Sequence, residues 1–147
     1  MDFVPFMHLA IQEAKNCGVD VPVGAVLIDA AGSVVAVGRN TKEGTSDPTG
    51  HAEIEAIRAA SKKLGDWRLS ELTLVVTLEP CLMCAAAIVA ARIPRVVFGT
   101  WDEKLGGSGS LYDITRDARL GKPVEVISGV LEQECAKLLT DFFEAKR

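Results

Sequence analysis

The chain has 147 residues, of which 48% are hydrophobic and 24% are charged, and its formal net charge is −4. A chain of this length buries about 68–70% of the surface of its unfolded state, so it needs no metal or disulfide to hold a core. The acidic charge argues against a general nucleic-acid binder, although residues 92–122 hold six basic residues against four acidic ones.

The first fifty residues predict a helix, a hairpin and a loop. The segment FMHLAIQEAKN (residues 6–16) has apolar residues at helical spacing, and Gly18 is a suitable helix stop. The segment VPVGAVLIDAAGSVVAVGRN (residues 21–40) predicts two strands around a central Ala-Gly turn. Residues 41–50, TKEGTSDPTG, have the composition of a loop.

The remaining segments alternate between helical and strand patterns. In chain order they predict a helix, a buried strand, a small-residue helix, two strands and an amphipathic helix, at residues 51–65, 72–78, 81–93, 95–101, 124–130 and 131–146. Strand–helix–strand units pair in parallel, whereas a hairpin is antiparallel. The sequence therefore predicts a single α/β domain over residues 1–147, with three layers, α/β/α, around a central mixed five-stranded sheet.

The length of the apolar runs and the number of cysteines indicate the cellular compartment of the protein. No apolar run reaches the ~18 residues that a membrane span needs, and the N-terminus has an acid at position 2 and no basic region of the signal-peptide type. Four cysteines in a chain of this size are unlike a secreted disulfide framework. We therefore expect a cytoplasmic protein that makes no membrane contact.

The segment TLEPCLMCAAAI, residues 77–88, places Cys81 and Cys84 three positions apart behind Pro80. Such a pair alone is compatible with half of a metal site, with a redox pair or with small apolar residues in a core. Pro80 suits the first position of a helix, and residues three apart share a helix face. Both sulfurs can then approach one ion near the positive end of the helix dipole, which favours thiolates.

A third candidate zinc ligand lies thirty residues upstream of this pair. His51 opens a predicted helix, and a catalytic zinc takes three protein ligands and leaves one position for water. Glu53 is placed to overlook that position as a proton shuttle. A redox pair has no need of the His-x-Glu segment, and a closed structural zinc site would need a fourth ligand. We expect Cys17 and Cys135 to be core thiols, and His8 to be a surface or half-buried residue of its helix rather than a ligand.

His-x-Glu followed by Pro-Cys-x-x-Cys is the signature of zinc deaminases. Over almost its whole length the chain also resembles the bacterial tRNA-specific adenosine deaminases, through VPVGAVLI, DPTGHAEI, TLEPCLMCAAAI, RVVFGTWDEK, GGSGSLYD and LLTDFFEAKR. The zinc signature marks the superfamily only. Two further segments are closer to the tRNA-editing branch than to guanine or cytosine deaminases, namely RVVFGTWDEKLGGSGSLYD and the terminal Asp-Phe-Phe.

That resemblance implies a cytidine deaminase-like fold, a homodimer, one Zn²⁺ per subunit and the anticodon stem-loop of a tRNA as partner. It implies hydrolytic deamination of adenosine to inosine at the wobble position, with His51, Cys81 and Cys84 as zinc ligands and Glu53 as the catalytic residue. The substrate contacts that it implies are Asn40, Val21, Pro22, Ala52, Asp102, Lys104, Phe142 and Phe143, with Lys146 and Arg147 as the basic residues at the end.

Alternatives remain for the substrate and for these contacts. The same chemistry would serve a free nucleobase or nucleoside of the guanine or cytosine type, whereas a zinc-stabilised binding module without turnover would have no use for Glu53. Gly121 and Lys122 stand where the family usually has an Asn-His pair, a departure that bears on the tRNA assignment more than on the deaminase assignment. By pattern alone, Asn40 also suits a turn, Asp102 a loop cap, and the two phenylalanines a core.

Overall fold

The computed structural model describes residues 1–147. Its elements are α1 (Val4–Ala14), β1 (Gly24–Ile28), β2 (Val34–Arg39), α2 (Lys42–Thr45), α3 (Ala52–Leu64), β3 (Thr73–Leu78), α4 (Leu82–Ala90), β4 (Arg95–Thr100), a 3₁₀ turn (Ala118–Leu120), β5 (Glu125–Ile127) and α5 (Glu132–Ala145). The predicted order of helices and strands is confirmed. None of the helices is both long enough and apolar enough to cross a bilayer.

The short helix α2 lies inside the segment that we predicted as a loop. Asp20 is distant in sequence, and its carboxylate accepts the backbone N–H groups of Glu43 at 2.7 Å and Gly44 at 3.0 Å. A carboxylate at the free N–H groups of a helical turn stabilises that turn. A tertiary contact therefore forms α2, and the local composition does not reveal it.

All five strands form one sheet in the order β2-β1-β3-β4-β5. Strand β1 runs antiparallel to both of its neighbours, whereas β4 is parallel to β3 and to β5. The predicted antiparallel hairpin and mixed sheet are confirmed. Because β3 and β4 are parallel, the segments that follow them leave the sheet at the same edge, where the N–H of Glu79 donates to the carbonyl of Thr100 at 2.8 Å.

Helices cover both faces of the sheet, which confirms the three-layer arrangement. On one face, Met7 of α1 and Cys135 of α5 join Val97 of β4 in an apolar cluster. On the other face, Ala56 of α3 and Ile88 of α4 belong to a larger cluster with the remaining core side chains of the sheet. The core therefore lies on both sides of the strands, and burial of apolar surface on both sides stabilises the fold.

Two glycines allow helices to approach the hairpin strands closely. A Cβ atom at Gly24 of β1 would clash with the carbonyl oxygen of Ala10 in α1. A Cβ atom at Gly38 of β2 would likewise clash with the carbonyl oxygen of Ala52 in α3. A larger residue at either position would displace the helix from the sheet. The contact at Gly38 thereby fixes the start of α3, where His51 lies.

Helix α4 begins later than the Pro80 start that the sequence predicted, so that prediction was wrong. Cys81 is the N-cap, with extended φ and ψ of −69° and 176°, and Leu82 is the first helical residue. A β-bridge between Cys81 and Gly106 keeps the segment around the cap extended. This bridge joins residues that are distant in sequence, so local helix signals place the boundary too early.

Candidate active site

The three predicted zinc ligands lie at the starts of two helices, at the edge where β3 ends. His51 is the N-cap of α3 and Cys81 is the N-cap of α4, each with an extended backbone. Cys84 follows in the first turn of α4. The sulfurs of Cys81 and Cys84 both face the His51 imidazole.

The ligand atoms have the spacing of a tetrahedral metal site. His51 Nδ1 lies 3.5 Å from Cys81 Sγ and 3.4 Å from Cys84 Sγ, and the three ligand atoms all lie within 4.8 Å of one another. Zinc bonds of about 2.0–2.1 Å to nitrogen and about 2.3 Å to sulfur would separate tetrahedral N and S ligands by roughly 3.6 Å. The donor set and its spacing fit zinc, with a fourth position left for water.

The two thiols differ in acidity because they lie side by side in a partly buried site. The interaction with the Cys84 thiol, assisted by His51, lowers the pKa of Cys81 to about 4. The same interaction, together with burial, raises the pKa of Cys84 far above its usual range. The hydrogen bond with Cys81 also raises the pKa of His51. One thiolate therefore faces the imidazole before metal binds, and a bound cation would displace the remaining thiol proton.

Glu53 lies in the first turn of α3 and lines the same pocket as His51 and Cys81. The residue is 4% exposed, and burial raises its pKa from the usual 4.5 to about 7. A carboxyl group with a pKa near neutrality can both accept and release a proton at physiological pH. Glu53 thus has the placement and the acidity of a proton carrier beside the metal ligands.

A pocket of about 1010 Å³ opens above the metal ligands and Glu53. Its lining includes most of the predicted substrate contacts, namely Val21, Asn40, Asp102, Lys104, Phe142 and Phe143, together with Lys146. Pro22 and Ala52 are not part of the lining, and Ala52 is fully buried in the core. The structure therefore brings the predicted zinc ligands and most of the predicted contacts into one site.

The two phenylalanines near the end of α5 form the rim of this pocket. Their rings meet edge to face with centroids 5.2 Å apart, and Phe143 is 49% exposed. The ammonium group of Lys146 lies 4.9 Å from the centroid of Phe142. Since a core anchor would be buried, the exposure of Phe143 places the pair at the surface of the pocket.

Asn40 braces two walls of the pocket. Its Oδ1 accepts the N–H of Ala52 at 2.9 Å, and its Nδ2 donates to the carbonyl of Val21 at 3.0 Å. These bonds use one of two N–H groups and one of two lone pairs of the amide. Asn40 therefore fixes the start of α3 and retains one donor and one acceptor position for a ligand. Ala52 contributes to the site through its backbone N–H.

Asp102 caps the loop that follows β4. Its Oδ1 accepts the N–H groups of Lys104 at 3.1 Å and Leu105 at 3.2 Å. The side chain of Lys104 is exposed, and none of the ion pairs includes it. Asp102 therefore shapes the pocket wall, while Lys104 presents a free positive charge at the mouth.

Gly121 and Lys122 lie at the opposite end of the sheet from the metal ligands. They border a smaller cavity of about 390 Å³, together with Ser70 and Pro94 from the segments that lead into β3 and β4. Neither Gly121 nor Lys122 lines the large pocket. The departure from the family pattern at these two positions therefore leaves the pocket wall of this chain unaltered.

Two buried carboxylates that the sequence analysis did not single out organise the pocket walls. Asp20, 4% exposed, holds α2 beside the pocket by accepting two backbone N–H groups of that helix. Glu79, 1% exposed, accepts three backbone N–H groups from residues 102–110. The available signal for Glu79 was its position directly before Pro80, at the end of an almost wholly apolar strand.

The remaining cysteines and histidine lie outside the site. Cys17 and Cys135 are buried, as predicted for core thiols, and burial raises the pKa of both. His8 is exposed on α1, as predicted. All four cysteines are free.

Comparison with known proteins identifies the class and then the family. Residues 4–100 match the family model of the cytidine and deoxycytidylate deaminase zinc-binding region. Together with the mixed sheet and the His-Cys-Cys ligand set, this match defines a zinc-dependent deaminase. Zinc is therefore the metal that the site is built to hold.

Individual relatives are more specific. A tRNA-specific adenosine deaminase of Bacillus subtilis strain 168 is 45% identical over 144 residues, which are 97% of this chain and 89% of the relative. One of Haemophilus influenzae is 47% identical over 128 residues, 87% of this chain and 74% of the relative. A solved structure from a study of A-to-I editing by tRNA:A34 deaminases matches with a TM-score of 0.87 and 43% identity, over 92% of this chain and 99% of that one. The chain belongs to the tRNA-specific adenosine deaminase family.

Proposed function

We propose that this chain hydrolytically deaminates adenosine to inosine at the wobble position of a tRNA anticodon. The observation that carries the proposal is the convergence of three zinc ligands and the buried Glu53 on one pocket. Relatives at 45% and 47% identity are tRNA-specific adenosine deaminases, which favours this substrate over a free base. In the reaction, water adds to C6 of adenine and ammonia leaves.

His51 would hold zinc through Nδ1, and Cys81 and Cys84 would hold it as thiolates, with one ion per subunit. Two thiolates balance the charge of Zn²⁺, which suits a partly buried site. When bound, zinc acts as a Lewis acid that lowers the pKa of a water ligand to about 7. The side chains of the chain supply the proton transfers.

Glu53 accepts a proton from the attacking water and delivers it to N1 of the adenine ring. Once C6 has gained the oxygen of water, the hydroxyl proton of the addition product passes through the same carboxyl group to the amino group. Ammonia then leaves and the C6 carbonyl of inosine remains. A pKa of about 7 suits both transfers, because the group is neither permanently ionised nor permanently protonated near neutral pH.

The pocket wall would hold a base that is flipped out of the anticodon loop. Asn40 offers its remaining donor and acceptor positions to the base, and Val21 with the adjacent proline supplies apolar contact. Lys104 would meet a backbone phosphate, and Phe142 and Phe143 at the rim would stack on neighbouring bases. Splayed single-stranded bases are recognised in RNA by such stacking and edge contacts.

An anticodon stem-loop would approach the open side of the pocket. Lys42, Lys104 and Lys146 line the pocket beside the exposed acidic residues Glu43, Glu103 and Glu132, and Arg147 is the last residue of the sequence. The lysines would supply individual phosphate contacts in a chain that is acidic as a whole. Residues 1–147 act as one catalytic domain. A tRNA substrate and four free cysteines support a cytoplasmic location.

The exposed side of α4 supports a homodimer. Helix α4 contains no charged residue, yet Leu82, Ala86 and Ala90 are exposed along it. Leu105, which is 57% exposed, lies beside this helix because its carbonyl accepts the N–H of Leu82 at 3.1 Å. Helices that are apolar on all sides are normally buried. A second copy of the chain would cover this surface.

The test is a comparison of substrates with the zinc-loaded protein. One reaction contains an unmodified tRNA transcript with adenosine at the wobble position, and the others contain free adenosine, guanine or cytidine. We expect inosine in the tRNA and no turnover of the free compounds, with Glu53→Gln as the inactive control. Turnover of free compounds alone would refute the tRNA assignment, and zinc binding without any turnover would indicate a binding module.

A further inference from the structure

All side-chain hydrogen bonds of Glu79 go to one loop. Its Oε1 accepts the N–H of Asp102, and its Oε2 accepts the N–H groups of Ser108 and Ser110, each at 3.0 Å. The hydroxyl of Ser110 also donates to Oε1. None of the ion pairs includes Glu79, although it is 1% exposed. These four donors therefore satisfy the buried carboxylate in place of a cation.

The same loop, residues 102–110, is joined to the turn at Pro80 and Cys81, which presents the first cysteine ligand and is called the zinc-ligand turn. The carbonyl of Pro80 accepts the N–H of Gly107 at 2.8 Å. A Cβ atom at Gly106 would clash with Oε1 of Glu79, so glycine makes room for the carboxylate. Glu79 thus lies at the junction between the zinc-ligand turn and the loop.

The first residues of this loop form a wall of the pocket. Asp102 and Lys104 line the pocket, and the backbone of Asp102 is fixed by Glu79. The Asp102 carboxylate in turn fixes the backbone of Lys104 at 3.1 Å. A continuous set of hydrogen bonds therefore leads from the residue beside the zinc-ligand turn to the wall that faces the substrate.

We propose that Glu79 is a positioning residue that fixes this loop against the zinc-ligand turn and so sets where the substrate lies relative to the metal. The proposal rests on the proposed function. A carboxylate is required because all four partners are donors. The amide of Gln at this position would direct an NH₂ group either at the N–H of Asp102 or at the N–H groups of Ser108 and Ser110.

Glu79→Gln separates positioning from metal binding. Hydrogen exchange of the backbone amides in residues 102–110 should become at least about tenfold faster. Zinc content should not change. Steady-state kinetics on tRNA should show kcat/KM reduced by at least about tenfold, with a raised KM.

The matched control is Asp29→Asn, in the hairpin turn. The Asp29 carboxylate also accepts two backbone N–H groups, those of Ala31 at 3.0 Å and Ser33 at 2.9 Å, and it lies outside the pocket lining. This control should leave the kinetics on tRNA and the exchange of residues 102–110 as in the wild type.

Unaltered exchange in the loop, or faster exchange with kinetic constants within about twofold of wild type, would overturn the proposal. Loss of zinc would overturn it as well, since Glu79 would then act on the metal site. If Glu79→Gln does not fold, Ser110→Ala removes one donor only and should shift exchange and KM in the same direction by about threefold; no shift there contradicts the proposal. Exchange is read without turnover, so failure of the tRNA reaction in the wild type would refute the proposed function separately.

Discussion

Replacing Glu53 by Gln tests the acid–base role with little change in side-chain volume. The carboxyl group is buried and shares the pocket with His51 and Cys81. Proton transfer by a positioned side chain contributes about 10²–10⁴ to a rate. We therefore expect the deamination rate to fall at least about 100-fold. Zinc content should not change, because Glu53 is not one of the three predicted ligands.

The same substitution should stabilise the metal-free protein at high pH. Burial raises the pKa of Glu53 from the usual 4.5 in the unfolded chain to about 7 in the folded chain. The unfolded state therefore releases its proton first, and the folded state loses stability as the pH rises from about 4.5 to about 7. The interval between the two pKa values corresponds to roughly 3 kcal/mol. Gln removes this penalty.

Urea unfolding of the metal-free wild type and Glu53→Gln measures the gain. It should be roughly 3 kcal/mol at pH 8 and below about 1 kcal/mol at pH 5. Glu55→Gln, two residues along α3, is the matched control and should change neither stability nor rate in this way. A Glu53→Gln rate within about tenfold of wild type, with zinc bound, would refute the proton-carrier role. A gain that does not depend on pH would refute the raised pKa.

Three further predictions concern the thiols, the pocket wall and the exposed helix. In the metal-free protein near pH 7, iodoacetamide should label Cys81 first, because its pKa of about 4 makes it a thiolate, whereas burial raises the pKa of Cys17 and Cys135; zinc should block the label, and mass spectrometry locates it. Asn40→Ala removes two hydrogen bonds and should lower the free energy of unfolding by about 1–3 kcal/mol while raising KM for tRNA; unaltered stability contradicts the bracing role. The proposed homodimer should dissociate to monomers in light scattering when Leu82→Glu places a charge on the exposed face of α4, and a dimer that persists would exclude that face.

Much of the fold follows from local patterns in the sequence. Residues 72–78 are a nearly continuous apolar run because β3 is covered on both faces, and the periodicity of α3 reflects a helix packed on one side. The zinc ligands could be predicted equally well, since zinc chemistry restricts the type and number of donor atoms, and His51 with the cysteine pair satisfies both restrictions. The substrate came from family resemblance, because the residues alone are compatible with several bases.

Features that depend on contacts between distant segments were not predictable. The single turn of α2 exists because Asp20 accepts its N–H groups, and the start of α4 is delayed by the bridge from Cys81 to Gly106. Glu79 contacts residues 23 to 31 positions away, so no local pattern reveals what its carboxylate holds. Each of these features requires the fold to be known first.

The most direct measurement is a zinc titration of the metal-free protein in the presence of an unmodified tRNA transcript. Inosine at the wobble adenosine, A34, is read by reverse transcription, in which it pairs as guanosine, and bound zinc is measured in parallel. The proposed function predicts that inosine appears at A34 alone, rises with bound zinc and reaches its plateau at about one ion per chain. The proposed function would be contradicted if no inosine formed at A34 of the tRNA while the protein holds its zinc. Conversion that does not depend on zinc would contradict it as well.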